Sequence, residues 1–212
     1  MNNQPLQVNR IFCVGRNYIN HAKELKNQIP ESPVVFMKPT SCLVHHDCKY
    51  INLSNTRYEV HYESELVIQV GKSGFFKDGD VIDGFIHGFT LGLDLTLRQL
   101  QKQLKEKGLP WEKSKSFDHS SPLGKIIPIN SCNELKDFNF DCLINNEKRQ
   151  HGQVKDMIFS FEEILKEISN YWKLLAGDLI YTGTPEGVGV LKTGDIIRIE
   201  SQETGAFEWK IS

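Results

Sequence analysis

The chain has 212 residues, 39% of them hydrophobic and 25% charged, with a formal net charge of −2. That length can bury a core without disulfide or metal staples, and the slightly acidic balance excludes a general attraction to nucleic acid or to an anionic membrane. No long uncharged apolar segment is present, MNNQPLQVNR lacks the basic start and apolar core of a secretory signal, and the five cysteines are widely spaced with no CxxC. The expectation is therefore a single cytoplasmic domain over residues 1–212 with reduced thiols, no membrane or nucleic-acid partner, no zinc ribbon and no redox pair.

In chain order, RIFCVG (10–15) reads as a short strand, and NYINHAKELKNQ (17–28) has helical spacing closed off by Pro30 and Pro33. SPVVFMKP (32–39) is a β-branched and aromatic run between prolines, read as a buried strand. Residues 59–70 alternate with period two and read as one strand, DGDVIDG (78–84) is turn-like, and FIHGFTLGLDLT (85–96) reads as another strand. LRQLQKQLKEKG (97–108) places Leu97, Leu100 and Leu104 on one side and basic residues before Gly108, a helix with its stop signal. FDCLINNEKRQHG (140–152) is a strand followed by a turn at Asn145-Asn146, and Ser160 with Glu163 forms a capping box for a helix predicted to reach about Leu175. GDLIYTGTP, GDIIRIES and AFEWKIS supply late strands. Strands dominate and do not alternate regularly with helices, which predicts an α+β, mostly β roll rather than a doubly wound sheet.

EVHYESELVIQV (59–70) leads charge into an apolar run. On one strand, Glu63 and Glu65 share a face with His61, Val67 and Gln69, and stand roughly 6.5–7 Å apart. Two buried carboxylates so placed repel each other, and a divalent cation between them removes that cost; oxygen-only ligation suits Mg²⁺, Mn²⁺ or Ca²⁺ better than zinc. The competing reading is a solvated polar face. A third acid, Asp94, is the lone charge in GFTLGLDLTL and needs a partner if buried; its competing role is the N-cap of a helix beginning near Leu95. Together Glu63, Glu65 and Asp94 make a three-carboxylate site that leaves about three positions on Mg²⁺ for water and substrate.

YTGTPEGVGVLKTGD (181–195) places Gly183, Gly187, Gly189 and Pro185 directly after a strand. Its backbone N–H groups suit a carboxylate or phosphate, with the Thr184 hydroxyl beside them, although a plain turn has the same composition and neither a Walker loop nor GxGxxG is present. In GRNYINHAKEL, a helix over 18–27 puts His21 and Glu24 at i, i+3, the pairing that orients an imidazole as a general base and equally that of an ordinary surface pair. Lys115 in WEKSKSFDHSSP is a weaker candidate.

These stretches resemble, in order, the fumarylacetoacetate hydrolase family, and within it the short acylpyruvate hydrolase and oxaloacetate decarboxylase-like branch. VGRNY, PVVFMKP, VHYESEL, LDLTLRQ, KGLPWEKSKSFD, MIFS and GDLIYTGTPEGVG carry the resemblance over roughly residues 10 to 200. It implies a mixed β-roll, a homodimer, and Mg²⁺ or Mn²⁺ held by Glu63, Glu65 and Asp94. It further implies that His21 and Glu24, on a mobile helix over 17–30, close on the site as a water-activating pair. Lys115 is implied as catalytic, and Arg16, Tyr18, Gln101 and Thr184 as surrounding a 2-oxo acid. Two positions depart from the family pattern: Tyr62 stands where a second His is common, and Gln99 where LDLTxRD has an acid.

A 2-oxo acid can chelate a metal through its oxo and carboxylate oxygens, and bonds beta to the ketone then break through an enolate. The expectation is metal-dependent hydrolysis of a C–C bond in an acylpyruvate, with oxaloacetate decarboxylation as a side activity. Tautomerisation or isomerisation of a 2-oxo acid is the close alternative, and a non-catalytic metal- or anion-binding domain is the alternative of another class.

Overall fold

The computed structural model describes residues 7–24 and 30–212. The first elements are strand β1 (Ile11–Gly15), helix α1 (Ile19–Glu24), β2 (Val34–Lys38), β3 (Leu43–His45), β4 (Tyr50–Ile51), β5 (Val60–Tyr62) and β6 (Ser64–Val70). They are followed by β7 (Ile86–Leu93), β8 (Thr96–Leu97), α2 (Arg98–Glu106), α3 (Glu112–Lys115), β9 (Ser121–Leu123) and β10 (Ile127–Pro128). The last are β11 (Asn139–Ile144), β12 (Glu147–Gln153), α4 (Phe161–Ser169), β13 (Leu179–Tyr181), β14 (Gly189–Leu191), β15 (Ile196–Ser201) and β16 (Gly205–Ile211).

The strands form a curled eight-stranded sheet of order β2-β1-β13-β6-β7-β9-β3 with β10 on β7, a five-stranded sheet β12-β11-β15-β16-β4, and a three-stranded sheet β14-β5-β8. This is the mostly-β α+β roll that the irregular element order predicts. Alternate side chains of the large sheet feed two cores: Phe12, Val14, Leu66 and Ile68 pack into the larger, while Ile11, Cys13, Val67, Leu179 and Tyr181 pack into the smaller. Strands β1, β6 and β13 are therefore apolar on both faces, and any charge on them must find a partner inside the protein. Among the described residues no helix is long and apolar enough to cross a membrane, and all five cysteines are free thiols.

Several local expectations are corrected. Residues 59–70 are two strands in different sheets, because the chain leaves the ladder at Glu63 and Ser64 N–H donates to the side chain of Gln150. β7 ends at Leu93, and Thr96–Leu97 pair with β5 instead. β2 is a half-buried edge strand, with only Lys38 fully buried. The helix opened by the Ser160–Glu163 capping box stops at Ser169, since the chain must turn to bring Leu174 into backbone pairing with Gly74. Helix α1 begins at Ile19, and the predicted turns over 25–28 lie outside the described residues. The Asn145-Asn146 turn is present, both residues with positive φ (52° and 66°), as a tight hairpin between β11 and β12 demands.

Candidate active site

Antiparallel pairing of β6 with β7 sets Ser64 opposite Leu93 and Glu65 opposite Gly92, so the start of one strand meets the end of the other. Asp94 N–H then donates to Glu63 C=O at 2.8 Å, which fixes the third acid beside the first two. β13 runs antiparallel to β6 and parallel to β1, so the loops after Tyr181 and after Gly15 emerge at the same end. One end of the large sheet thus collects residues 15–24, 63–65, 94 and 182–187.

Glu63, Glu65 and Asp94 are 5%, 2% and 2% exposed, and one carboxylate oxygen from each lies within 4.8 Å of the others. The solvated-face reading of Glu63 and Glu65 is thereby excluded. So is the capping role of Asp94: α2 begins only at Arg98, after Leu97, with no side-chain cap.

Three cations answer two of the three acids. Lys115 Nζ donates to Glu63 Oε2 at 2.7 Å, Asp94 Oδ2 at 2.6 Å and Thr96 Oγ1 at 2.7 Å. Arg98 binds Glu63 Oε1 and, at 2.9 Å, Gln101. Lys38 Nζ lies 2.8 Å from Asp94 Oδ1 and donates to the Ser120 carbonyl at 2.7 Å. Burial alone would raise the Glu63 pKa, but Lys115 and Arg98 outweigh it and hold the carboxyl well below its ordinary 4.5. Burial also opposes the Lys115 charge, yet Asp94 and Glu63 more than offset it and raise its pKa above 10.5, so it stays an ammonium. Glu65 differs: burial, then the charges of Asp94 and Glu63, push it well above 4.5, and its hydrogen bond is from Gly183 N–H at 2.7 Å. Gly183 has φ +105°, and a Cβ there would meet Asn17 Cβ at 2.6 Å, so only glycine turns its N–H onto Glu65 without strain.

Helix α1 carries His21, 4% exposed, with Nδ1 3.2 Å from Glu24 Oε2 as the i, i+3 spacing predicts. Glu24 Oε1 accepts from Gly187 N–H at 3.2 Å, and Asn20 donates to Glu186 at 3.3 Å, so α1 is docked on the glycine-rich loop. Arg16 has positive φ (62°), and its Nε and the Tyr18 hydroxyl are buried with no hydrogen-bond partner among the described residues. Gln101 (4% exposed) is held by Arg98. Thr184 (3% exposed) accepts at Oγ1 from Gln150 Nε2 at 2.8 Å. Tyr62 packs under Gly189, and Gln99 is exposed on α2.

Sequence reasoning did not single out Lys38, Arg98, Asn17 or Gln150. Asn17 is a strut: its side chain donates to the carbonyls of Thr182 at 2.7 Å and Phe159 at 3.3 Å and accepts from Phe159 N–H at 2.7 Å, locking the β1 loop to the β13 loop. Lys105, 4.7 Å from the Trp111 ring centroid, is a further cation at this site; its pKa is brought down to about 8 by burial and then by the charges of Arg16, Arg98 and Lys115.

Residues 10–212 match the fumarylacetoacetate (FAA) hydrolase C-terminal family. The chain belongs to that family. It is 39% identical over 189 residues to a mitochondrial oxaloacetate decarboxylase of Dictyostelium discoideum, a match covering 89% of this chain and 87% of that protein. It is 36% identical over 194 residues to an oxaloacetate tautomerase of Escherichia coli strain K12, covering 91% and 88%. The fold superposes with a TM-score of 0.92 on the crystal structure of a fumarylpyruvate hydrolase from Pseudomonas aeruginosa in complex with Mn²⁺ and pyruvate, at 32% identity and with 99% and 91% of the two chains covered. These relatives support an enzyme rather than a binding module, and they span decarboxylase, tautomerase and hydrolase chemistry.

Proposed function

We propose that this family member is a divalent-metal-dependent enzyme of small dicarboxylic 2-oxo acids that works through an enolate, with oxaloacetate keto–enol tautomerisation as its reaction. The observation that carries the reading is the convergence of Glu63, Glu65 and Asp94 within 4.8 Å in a buried setting, with Glu65 the least compensated of the three. The donor set fits Mg²⁺ or Mn²⁺: all ligands are carboxylate oxygens, the second lone pair of each oxygen remains usable beside Lys115, Arg98 and Lys38, and Glu65 carries a buried charge that a cation would relieve. Such an ion, when bound, supplies the positive charge that lowers the energy of an enolate at a 2-oxo oxygen.

The remaining steps belong to the chain's own residues. His21, oriented by Glu24, takes the proton from C3 of the keto acid; the C–H electron pair becomes the C2–C3 double bond, and the C2 oxygen takes a proton from solvent as His21 releases its own, which gives the enol with no net proton change. Lys115 acts as fixed charge rather than as a base, because Asp94 and Glu63 keep it protonated. The unspent donors Arg16 Nε and Tyr18 O–H suit substrate carboxylates, and Thr184 and Gln101 complete the surround. Formal charge also favours a dianion. Three buried acids offset Lys38, Arg98 and Lys115, so Arg16, Lys105 and a divalent ion would leave the site positive.

A second reading, C–C hydrolysis of an acylpyruvate, is favoured by the same His21–Glu24 pair and by the 0.92 TM-score against the fumarylpyruvate hydrolase. There His21 would take a proton from water, hydroxide would add to the 4-oxo carbon, and the C3–C4 pair would leave as the pyruvate enolate. The test follows loss of enol absorbance from freshly dissolved enol-oxaloacetate, and of diketone absorbance from acetylpyruvate, with and without Mg²⁺. Mg²⁺-dependent enol loss faster than acetylpyruvate cleavage supports tautomerisation. The reverse order supports hydrolysis, and no turnover of either removes the enolate reading.

A further inference from the structure

Gln150 lies on β12, outside the large sheet, yet is only 1% exposed and reaches into the site. Its Oε1 accepts from Ser64 N–H at 3.0 Å and from Ser64 Oγ at 2.8 Å. Its Nε2 donates to Thr184 Oγ1 at 2.8 Å and to the Pro185 carbonyl at 2.9 Å. Two of these partners have fixed roles: Ser64 N–H can only donate, and the Pro185 carbonyl can only accept. The amide therefore has one orientation, oxygen toward Ser64 and NH₂ toward the loop.

That orientation has a consequence for Thr184. Its oxygen is already an acceptor of Gln150 N–H, and it has no other hydrogen-bond partner among the described residues. The hydroxyl proton is thus turned away from Gln150, in a buried setting where Thr184 is 3% exposed and the adjacent Gly183 N–H is bound to Glu65. At its other end the same amide grips Ser64, the residue between Glu63 and Glu65. We infer that Gln150 is a positioning residue: it presents the Thr184 hydroxyl as a hydrogen-bond donor to the substrate carboxylate and holds that donor at a fixed distance from the acidic pair. The inference rests on the functional reading above, in which Thr184 contacts the 2-oxo acid.

The test is a double-mutant cycle on the binding of oxalate, a planar mimic of the enolate, to the full chain at saturating Mn²⁺, read by calorimetry. Thr184→Val should weaken oxalate about tenfold to hundredfold, the size of a lost hydrogen bond to a charged group. Gln150→Met should weaken it comparably in the wild-type background and in Thr184→Ser, which keeps the hydroxyl, but by less than about twofold once Thr184→Val is present. A purely structural Gln150 would give the full loss in every background, and that result overturns the inference while leaving the functional reading intact. No oxalate binding by the wild-type chain, or no effect of Thr184→Val, overturns the functional reading of Thr184 and the inference together. Should Gln150→Met fail to fold by its melting curve, Gln150→Glu decides. It keeps the two bonds to Ser64, turns the hydroxyl proton back onto its own carboxylate and sets that oxygen against the Pro185 carbonyl in every background, so its loss should be larger by about tenfold or more with Thr184 present than with Thr184→Val, and equal losses overturn the inference.

Discussion

Glu65→Gln should move the metal-free and metal-loaded proteins in opposite directions. In the metal-free chain Glu65 is a buried carboxylate whose charge is opposed first by burial and then by Asp94 and Glu63. The neutral amide keeps the Gly183 N–H bond through its oxygen, removes the like charge, and offers N–H donors to the two acids, so the metal-free variant should melt at or above the wild type. The sign of the pH dependence follows from the raised pKa. Between 4.5 and the folded-state value the native chain holds a proton that the unfolded chain has released, so this residue's contribution to stability falls as pH rises through that window. Glu65→Gln should flatten that fall. Metal binding gives the opposite result. At a metal concentration about 100 times Kd, wild type gains about 2.7 kcal/mol, or roughly 5–11 °C for a chain of this size; the variant, one ligand short, should gain almost none. Scanning calorimetry with and without Mg²⁺ or Mn²⁺ at several pH values checks both arms. A metal-induced shift of wild-type size in the variant, or a metal-free variant several degrees less stable, would refute the reasoning.

Lys38→Met should destabilise the protein by about 3–5 kcal/mol in urea unfolding, because it strands Asp94 Oδ1 and the Ser120 carbonyl beside a fully buried side chain. His21→Ala should lower turnover about 10²–10⁴-fold while metal affinity by titration calorimetry stays within a small factor, since His21 is paired with Glu24 and not with the three acids; it should also reduce hydrolysis of an acylpyruvate more than decarboxylation of oxaloacetate. Gly183→Ala should weaken metal binding by about tenfold and cost about 1–3 kcal/mol, because the +105° φ and the 2.6 Å approach to Asn17 Cβ force the loop, and its N–H, away from Glu65. Metal titration together with urea unfolding separates the two effects.

What the sequence discloses about this site divides by the range of the interaction. The capping box at Ser160, the Asn145-Asn146 hairpin and the His21–Glu24 pair are local, and each appears where its spacing puts it. The break at Glu63 does not show in the period-two pattern, because it is made by Gln150, 86 residues away from Ser64. Asn17 likewise acts across 142 and 165 residues, with no local signature beyond being an asparagine after a strand. Lys38 is a different matter. A lone charge in an apolar run must be answered if buried, and this holds for the single Lys in SPVVFMKP as it does for Asp94. Each of these two residues is an anomaly in its own segment, and the structure makes them partners at 2.8 Å. Their opposite signs, in runs that both read as sheet interior, already contain the pairing; only the fold supplies the distance. A buried acid needs such a partner in a dry setting, and the pairing holds the Asp94 carboxylate in place beside Glu63 and Glu65, where a metal ligand has to stand.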